Sequence, residues 1–160
     1  EAIEAMRDTL KPTRQEGIQP DYTFHQHGPM LYTKGYGSIF ANLLLRQMLR
    51  MRGTRYAFAE EELRFLIDYL LEGVRWFQRG DALEHSSSNR GISRRPQNAT
   101  IRDYAPALAM AIKLAGDYRR EELEAFKGRV DRALASGSVD FADVHIGHRH
   151  FWNSDASTHH

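Results

Sequence analysis

The sequence predicts an all-α fold of antiparallel helix hairpins, packed as a bundle or an α-helical toroid. Two observations lead there. Apolar residues recur every three to four positions along about five separate stretches. Between them lie two long polar segments, residues 11–35 and 81–98, broken by glycine and proline or rich in Ser, Asn and Arg. Loops of that length inside a compact helical domain are usually functional.

The elements follow in order. Glu1 to Leu10 carries Ile3, Met6 and Leu10 at helical spacing, and Pro12 ends it. Residues 11–35 form the first long loop. From Tyr36 to Met51 the set Ile39, Phe40, Leu43, Leu44, Met48 and Met51 follows a 3.6-residue period, and Gly53 stops it. From Ala59 to Phe77 the set Leu63, Leu66, Ile67, Leu70, Leu71 and Val74 does the same. Glu60, Glu61 and Glu62 sit in its first turn, where the helix dipole favours negative charge. Gly80 terminates that helix, and residues 81–98 form the second loop. Ala99 to Leu114 is helical again, with Pro106 kinking it or moving its start. Arg120 to Leu134 is a last amphipathic helix, closed by Ser136-Gly137. Val139 to His145 then roughly alternates, and His150-Phe151-Trp152 reads as the start of a strand, so the C-terminal segment is expected to be short and extended.

Composition narrows the function. A hydrophobic content of 41% over 160 residues supports a real core. The formal charge of +1, from 22 basic and 21 acidic side chains, argues against gripping nucleic acid by bulk charge. An anionic ligand must therefore be held by local Arg and His groups. Cysteine is absent, which suits an extracytoplasmic bacterial protein and a cytosolic one alike. No apolar run is long enough to span a membrane, and no stretch of these 160 residues reads as a signal peptide. The chain opens on Glu1 inside a helical pattern and closes on His159-His160 after a Trp-Asn-Ser-Asp segment. It is expected to be an excerpt of a longer protein; the terminal His pair is also compatible with a tag remnant.

Three groups of residues carry chemistry. His25-Gln26-His27 lies in the first loop, with Tyr36 nine positions after His27. Arg90 and Arg94 lie four apart in the second loop. His145, His148 and His150 cluster near the end. A free phenol, with a pKa of about 10, is a poor base near neutrality, but a neighbouring guanidinium favours the phenolate. A phenolate can take a proton from carbon and the resulting phenol can return it to a leaving oxygen. An imidazole can hold a carboxylate and make the carbon beside it more acidic. These are the groups that β-elimination at a uronic acid needs. Glycoside hydrolysis usually needs two placed carboxylates instead, and only Asp21 and Glu84 are near candidates. His27 and Tyr36 taken alone also fit a loop histidine and a helix-start tyrosine that merely pack. His25 reads as structural. The three C-terminal histidines have passable metal-ligand spacing, but no Cys or acidic partner completes a recognised site, so hydrogen-bonded junction residues and no metal are expected. Trp76 and Phe77 read as core and Trp152 as packed at a junction. The series Arg46, Arg50, Arg52 and Arg55 reads as a solvated face.

Three segments, in this order, resemble polysaccharide lyase family eight, which contains the chondroitin AC, hyaluronan and xanthan lyases. Gln26-His27-Gly28-Pro29 with Tyr36-Gly37 is similar to the family's catalytic segment, in wording closest to the chondroitin AC type. Asn89-Arg90-Gly91-Ile92-Ser93-Arg94 resembles its Gly-Arg-Gly-x-Ser-Arg segment, with Asn89 where many members have Gly. Phe151-Trp152-Asn153-Ser154-Asp155 is similar to the segment leading into the family's β-sandwich domains.

The resemblance implies roles. His27 would contact the uronate near the reacting carbon. Tyr36 would accept the C5 proton and donate to the bridging oxygen. Arg90 would sit by the tyrosine and substrate, Arg94 would bind the acidic sugar, and Gln26 would join in substrate binding. An asparagine expected upstream and an acidic residue expected downstream are not in the chain. The implied fold is an incomplete α/α toroid over residues 1–137, with 138–160 a junction toward a missing β-sandwich domain. The implied parent is a secreted or periplasmic enzyme acting on an acidic polysaccharide, with no metal or organic cofactor, no nucleic acid and no membrane partner. The fragment alone is expected to be inactive. A helical-toroid glycoside hydrolase and a non-catalytic glycan-binding module remain as alternatives.

Overall fold

The computed structural model describes residues 1–93, 100–136 and 145–160, with backbone only for 90–93. Helix α1 (Ala2–Arg7) leads into a long polar loop, inside which β1 (Gly17–Ile18) pairs antiparallel with β2 (Phe24–His25). A wide turn at Thr33–Gly37 opens α2 (Ser38–Met51). Helix α3 (Glu60–Asp68) passes through a second wide turn at Tyr69–Val74 into α4 (Arg75–Phe77). A tight hairpin of β3 (Gln78–Arg79) and β4 (Ala82–Leu83) follows, then a short 3₁₀ segment, His85–Ser93. Helices α5 (Ala105–Leu114) and α6 (Arg120–Ser136) complete the helical body. A hairpin of β5 (His148–Phe151) and β6 (Ala156–His159) closes the chain, with Phe151 opposite Ala156.

The helices form where the periodicity places them. Leu123, Phe126, Val130 and Ala133 are the buried stripe of α6. The nitrogen of Ala59 donates to the Glu62 carboxylate at 2.6 Å, satisfying one free amide at the start of α3. Pro106 moves the start of its helix: a 3₁₀ turn at Ile101–Tyr104 precedes α5, and Pro106 stands in the first turn, where its missing N–H costs nothing.

The core is built from Leu45, Leu66, Ile67, Leu70, Leu71, Val74, Phe77, Ile101, Tyr104, Leu108, Leu123 and Phe126, all fully buried. Phe77 stacks on Phe151 with ring centroids 4.7 Å apart, which seats the C-terminal hairpin on the helices.

Three expectations change. Ile39 and Leu43, which share the 3.6 period of α2, are 54% and 51% exposed, whereas Ala41, Leu44, Leu45 and Met48 face the core. The periodicity is right, but the buried stripe is rotated away from positions 39 and 43. Trp152 is 53% exposed rather than packed; Arg14 lies over its ring at 5.4 Å. His159 and His160 belong to the fold: His159 pairs with His148, and His160 exchanges two backbone hydrogen bonds with Gly147. The expected extended stretch from Val139 lies outside the described residues up to 144.

Candidate active site

His27 sits at the tip of a hairpin that the first loop folds into. The nitrogen of Tyr32 donates to the Phe24 carbonyl at 2.7 Å, His25 bridges Leu31, and the nitrogen of Gln26 donates to the Met30 carbonyl at 3.2 Å. Residues 27–29 are left at the turn. His27 takes a left-handed conformation there, φ 62°, uncommon for a residue with a side chain. The turn is held from outside by Glu16. One carboxylate oxygen, Oε1, accepts from the His27 nitrogen at 2.8 Å and from the Gly28 nitrogen at 3.2 Å. The other, Oε2, accepts from the Gln26 side-chain amide. The register of β1 with β2, Gly17 opposite His25, brings Glu16 alongside Gln26.

Tyr36 comes from the wide turn before α2, where Lys34 and Gly35 leave helical geometry (Gly35 has φ 89°). Its ring meets the His27 ring edge-on, centroids 5.3 Å apart and planes 84° apart. Tyr32 completes the cluster, 5.1 Å from Tyr36 and 6.2 Å from His27. His27 is exposed and Tyr36 is 39% exposed, so both rings are open to a ligand. An imidazole and a phenol brought together on an open face can act on one substrate as carboxylate holder and proton carrier.

The floor under Tyr36 is rigid. The hydroxyls of Tyr69 and Tyr104 lie 2.7 Å apart, and Tyr104 donates to the Thr33 carbonyl. Burial pushes both of these phenols above their ordinary pKa, so they serve as neutral hydrogen-bonding groups. They leave no space beside the backbone of Gly37: a Cβ there would come within 2.4 Å of the Tyr69 oxygen and 2.8 Å of the Tyr104 oxygen. A similar close approach fixes the far end of the loop, where a Cβ on Gly73 would lie 2.0 Å from the Tyr22 carbonyl oxygen.

A polar seam ties the first loop to the C-terminal hairpin. Asp21 accepts from the Thr23 hydroxyl at 2.7 Å and from the Asn153 nitrogen at 2.8 Å. Asn153 donates to Gln19 at 2.9 Å. The Ser154 hydroxyl lies 2.6 Å from that of Thr23 and 2.7 Å from His25 Nε2. His25 is thus structural, as its position before the motif implied; burial lowers its pKa, with Asp21 opposing. Asp21 is committed to this seam, which removes one of the two carboxylates a hydrolase reading would need. Tyr22 packs on Phe65 at 6.1 Å, away from the His27 cluster.

The segment His85–Ser93, which carries Arg90, packs against the turn Thr33–Gly37, which carries Tyr36. The Arg90 side chain and the whole of Arg94 lie outside what is described. Gln26 lies beside the tip with its amide engaged by Glu16. The C-terminal histidines do not converge: His145 meets Trp76 edge-on at 4.4 Å, His150 Nδ1 lies 3.0 Å from the Ser157 hydroxyl, and His148 faces His159. Sequence reasoning missed Glu16, Tyr32 and the Tyr69–Tyr104 pair. Only the β1–β2 register would have pointed to Glu16; nothing in the sequence singles out the other three.

Fold and site together define a helical domain with a histidine and a tyrosine displayed side by side on a loop-built face. The chain belongs to polysaccharide lyase family 8: residues 1–130 match its N-terminal alpha-helical domain. It is 29% identical over 145 residues to the chondroitinase-AC of Pedobacter heparinus, covering 91% of this chain and 20% of that protein. The solved structure of a chondroitinase AC lyase, studied in enzyme–oligosaccharide complexes, matches with a TM-score of 0.79 at 26% identity, over 95% of this chain and 22% of that one. The chondroitin AC lyase of Streptomyces coelicolor A3, solved with chondroitin sulphate, shares the fold with a TM-score of 0.76 at 19% identity, over 99% of this chain and 26% of that one. The chain therefore spans about a fifth to a quarter of the length of these relatives.

Proposed function

We propose that the protein carrying this chain is a lyase that cleaves a uronic-acid-containing glycosaminoglycan, of chondroitin or hyaluronan type, by β-elimination. The observation that carries the reading is the edge-on contact of His27 and Tyr36 on an open face, in a chain of this family. His27 holds the uronate carboxylate and acidifies C5. Tyr36 removes the C5 proton; the C5–H bond breaks, the C4–C5 double bond forms and the C4–O bond breaks. The same phenol returns the proton to the departing oxygen, leaving a 4,5-unsaturated uronate. Arg90 stabilises the phenolate and the developing charge, and Arg94 and Gln26 hold the acidic sugar. Side chains supply every group in this scheme, so it calls for no metal or organic cofactor.

The same reading takes residues 1–137 as part of an α/α toroid and 138–160 as a junction to β-sandwich domains of a longer, secreted or periplasmic parent. The fragment alone is inactive in this scheme, because an asparagine and an acidic residue must come from elsewhere.

The test is to incubate the full-length protein with chondroitin sulfate, hyaluronan and xanthan and follow the ultraviolet absorbance of the conjugated uronate. Absorbance should rise with one of them, and Tyr36→Phe should abolish the rise while binding persists. Reducing ends without absorbance would indicate a hydrolase, and binding without cleavage a glycan-binding module.

A further inference from the structure

We propose that Glu16 is a positioning residue for His27, acting through the backbone of the turn; the proposal rests on the reading of His27 as a substrate-contacting group. The turn at 27–29 is exposed throughout, and the His27 ring meets Tyr32 and Tyr36 only edge-on. Its own ladder is thin: Gln26 donates to Met30, and Met30 donates back to Gly28 at 2.8 Å. Yet His27 is kept at φ 62°, a conformation that persists only when its surroundings over-determine it. Glu16 provides that constraint. Two successive backbone N–H groups converge on its Oε1, and the Gln26 amide takes Oε2. Hydrogen bonds to an ionised acceptor are the stronger kind.

Two consequences follow for the site. Successive N–H groups of this sort form a small anion-binding concavity. The chain fills it with its own carboxylate, so an acidic sugar is directed to the imidazole rather than to the backbone beside it. The direction of the imidazole is also set by the φ and ψ of residue 27, which Glu16 fixes from the position just before β1. A reacting group displaced by about 1 Å costs on the order of a hundredfold in rate.

The experiment compares wild type, Glu16→Ala and Glu16→Gln in the full-length protein, by steady-state kinetics and by amide hydrogen exchange of peptides spanning residues 26–30. Glu16→Ala should lower kcat about ten- to a hundredfold with KM changed less than about threefold. Exchange at residues 27 and 28 should accelerate at least about tenfold while α2 to α6 keep wild-type protection. Glu16→Gln, which retains an acceptor oxygen, should fall between the two. Wild-type kcat in Glu16→Ala overturns the proposal, as does a lowered kcat with unchanged exchange, because Glu16 would then act on the chemistry directly. Protection lost throughout the chain in both variants overturns it too, marking a general stability residue. If wild type shows no turnover, the lyase reading fails, and unchanged exchange at residues 27 and 28 still overturns the clasp separately.

Discussion

At the residue scale, the site depends as much on a missing side chain as on the side chains it displays. Tyr36 and His27 were legible because they are chemically distinctive and sit in a recognisable run. Gly37 was legible only as a neighbour, yet its missing Cβ lets the Tyr69–Tyr104 hydroxyl pair reach the backbone that bears Tyr36. Gly37→Ala inserts a methyl group where two buried oxygens stand. It should lower the unfolding free energy by about 2 kcal/mol and lower kcat with it. Adding Tyr69→Phe, which removes the nearer oxygen, should recover part of the loss. A urea melt of the single and double variants decides this; an unchanged midpoint for Gly37→Ala would mean that the floor yields.

At the scale of elements, the helices were legible because each buries a stripe at helical spacing. The wide turns were not: residues 33–37 straddle the boundary between expected loop and expected helix, and residues 69–74 keep the same apolar spacing whether the helix is regular or loosened. Nor was the charge cluster that joins α6 to the earlier elements. Arg119 donates to Asp68 at 2.8 Å, to both oxygens of Glu122 at 2.7 and 2.9 Å, and to Glu72 at 2.5 Å. Glu72 also accepts from Arg149 of β5 at 2.7 Å, and Arg75 reaches Glu122 at 3.0 Å. The Arg119 hydrogen bonds, against some burial and with help from Arg75, hold the Glu122 carboxyl down to about 2. Arg119→Met would leave three carboxylates adjacent with their common partner gone. It should cost about 2–3 kcal/mol, less than a fully buried pair because these groups are partly solvated. Chemical denaturation measures it, and a loss below about 0.5 kcal/mol would make the cluster an ordinary surface one.

At the scale of the whole molecule, acid should loosen the protein. His145 is held down to about 4, first by burial and then by the charges of Arg75 and Arg129; burial also lowers His25. In the unfolded chain both bind a proton near pH 6.5. The unfolded state therefore takes up more protons below that pH, and the stability these groups contribute above it is lost as pH falls, toward about 4 for His145. The Tm should drop between pH 7 and pH 5, and His145→Gln should drop less. Equal drops would show that His145 is not coupled to folding. Neither burial was readable in the sequence, where all three C-terminal histidines looked alike. Their surroundings come from Trp76 and from the closing hairpin, contacts set by elements far apart in the chain.

The polar seam between the first loop and that hairpin also sets an order of events during synthesis. Asp21, Thr23 and His25 are tied to the rest of the fold through residues 153 and 154, some 130 positions later. Closing so long a loop is slow, and pairings of high sequence separation come after local helices. On a growing chain α2 to α6 can therefore assemble while the histidine-bearing hairpin still lacks its anchor. The face that displays His27 and Tyr36 should then be finished last, after the body that carries it has formed.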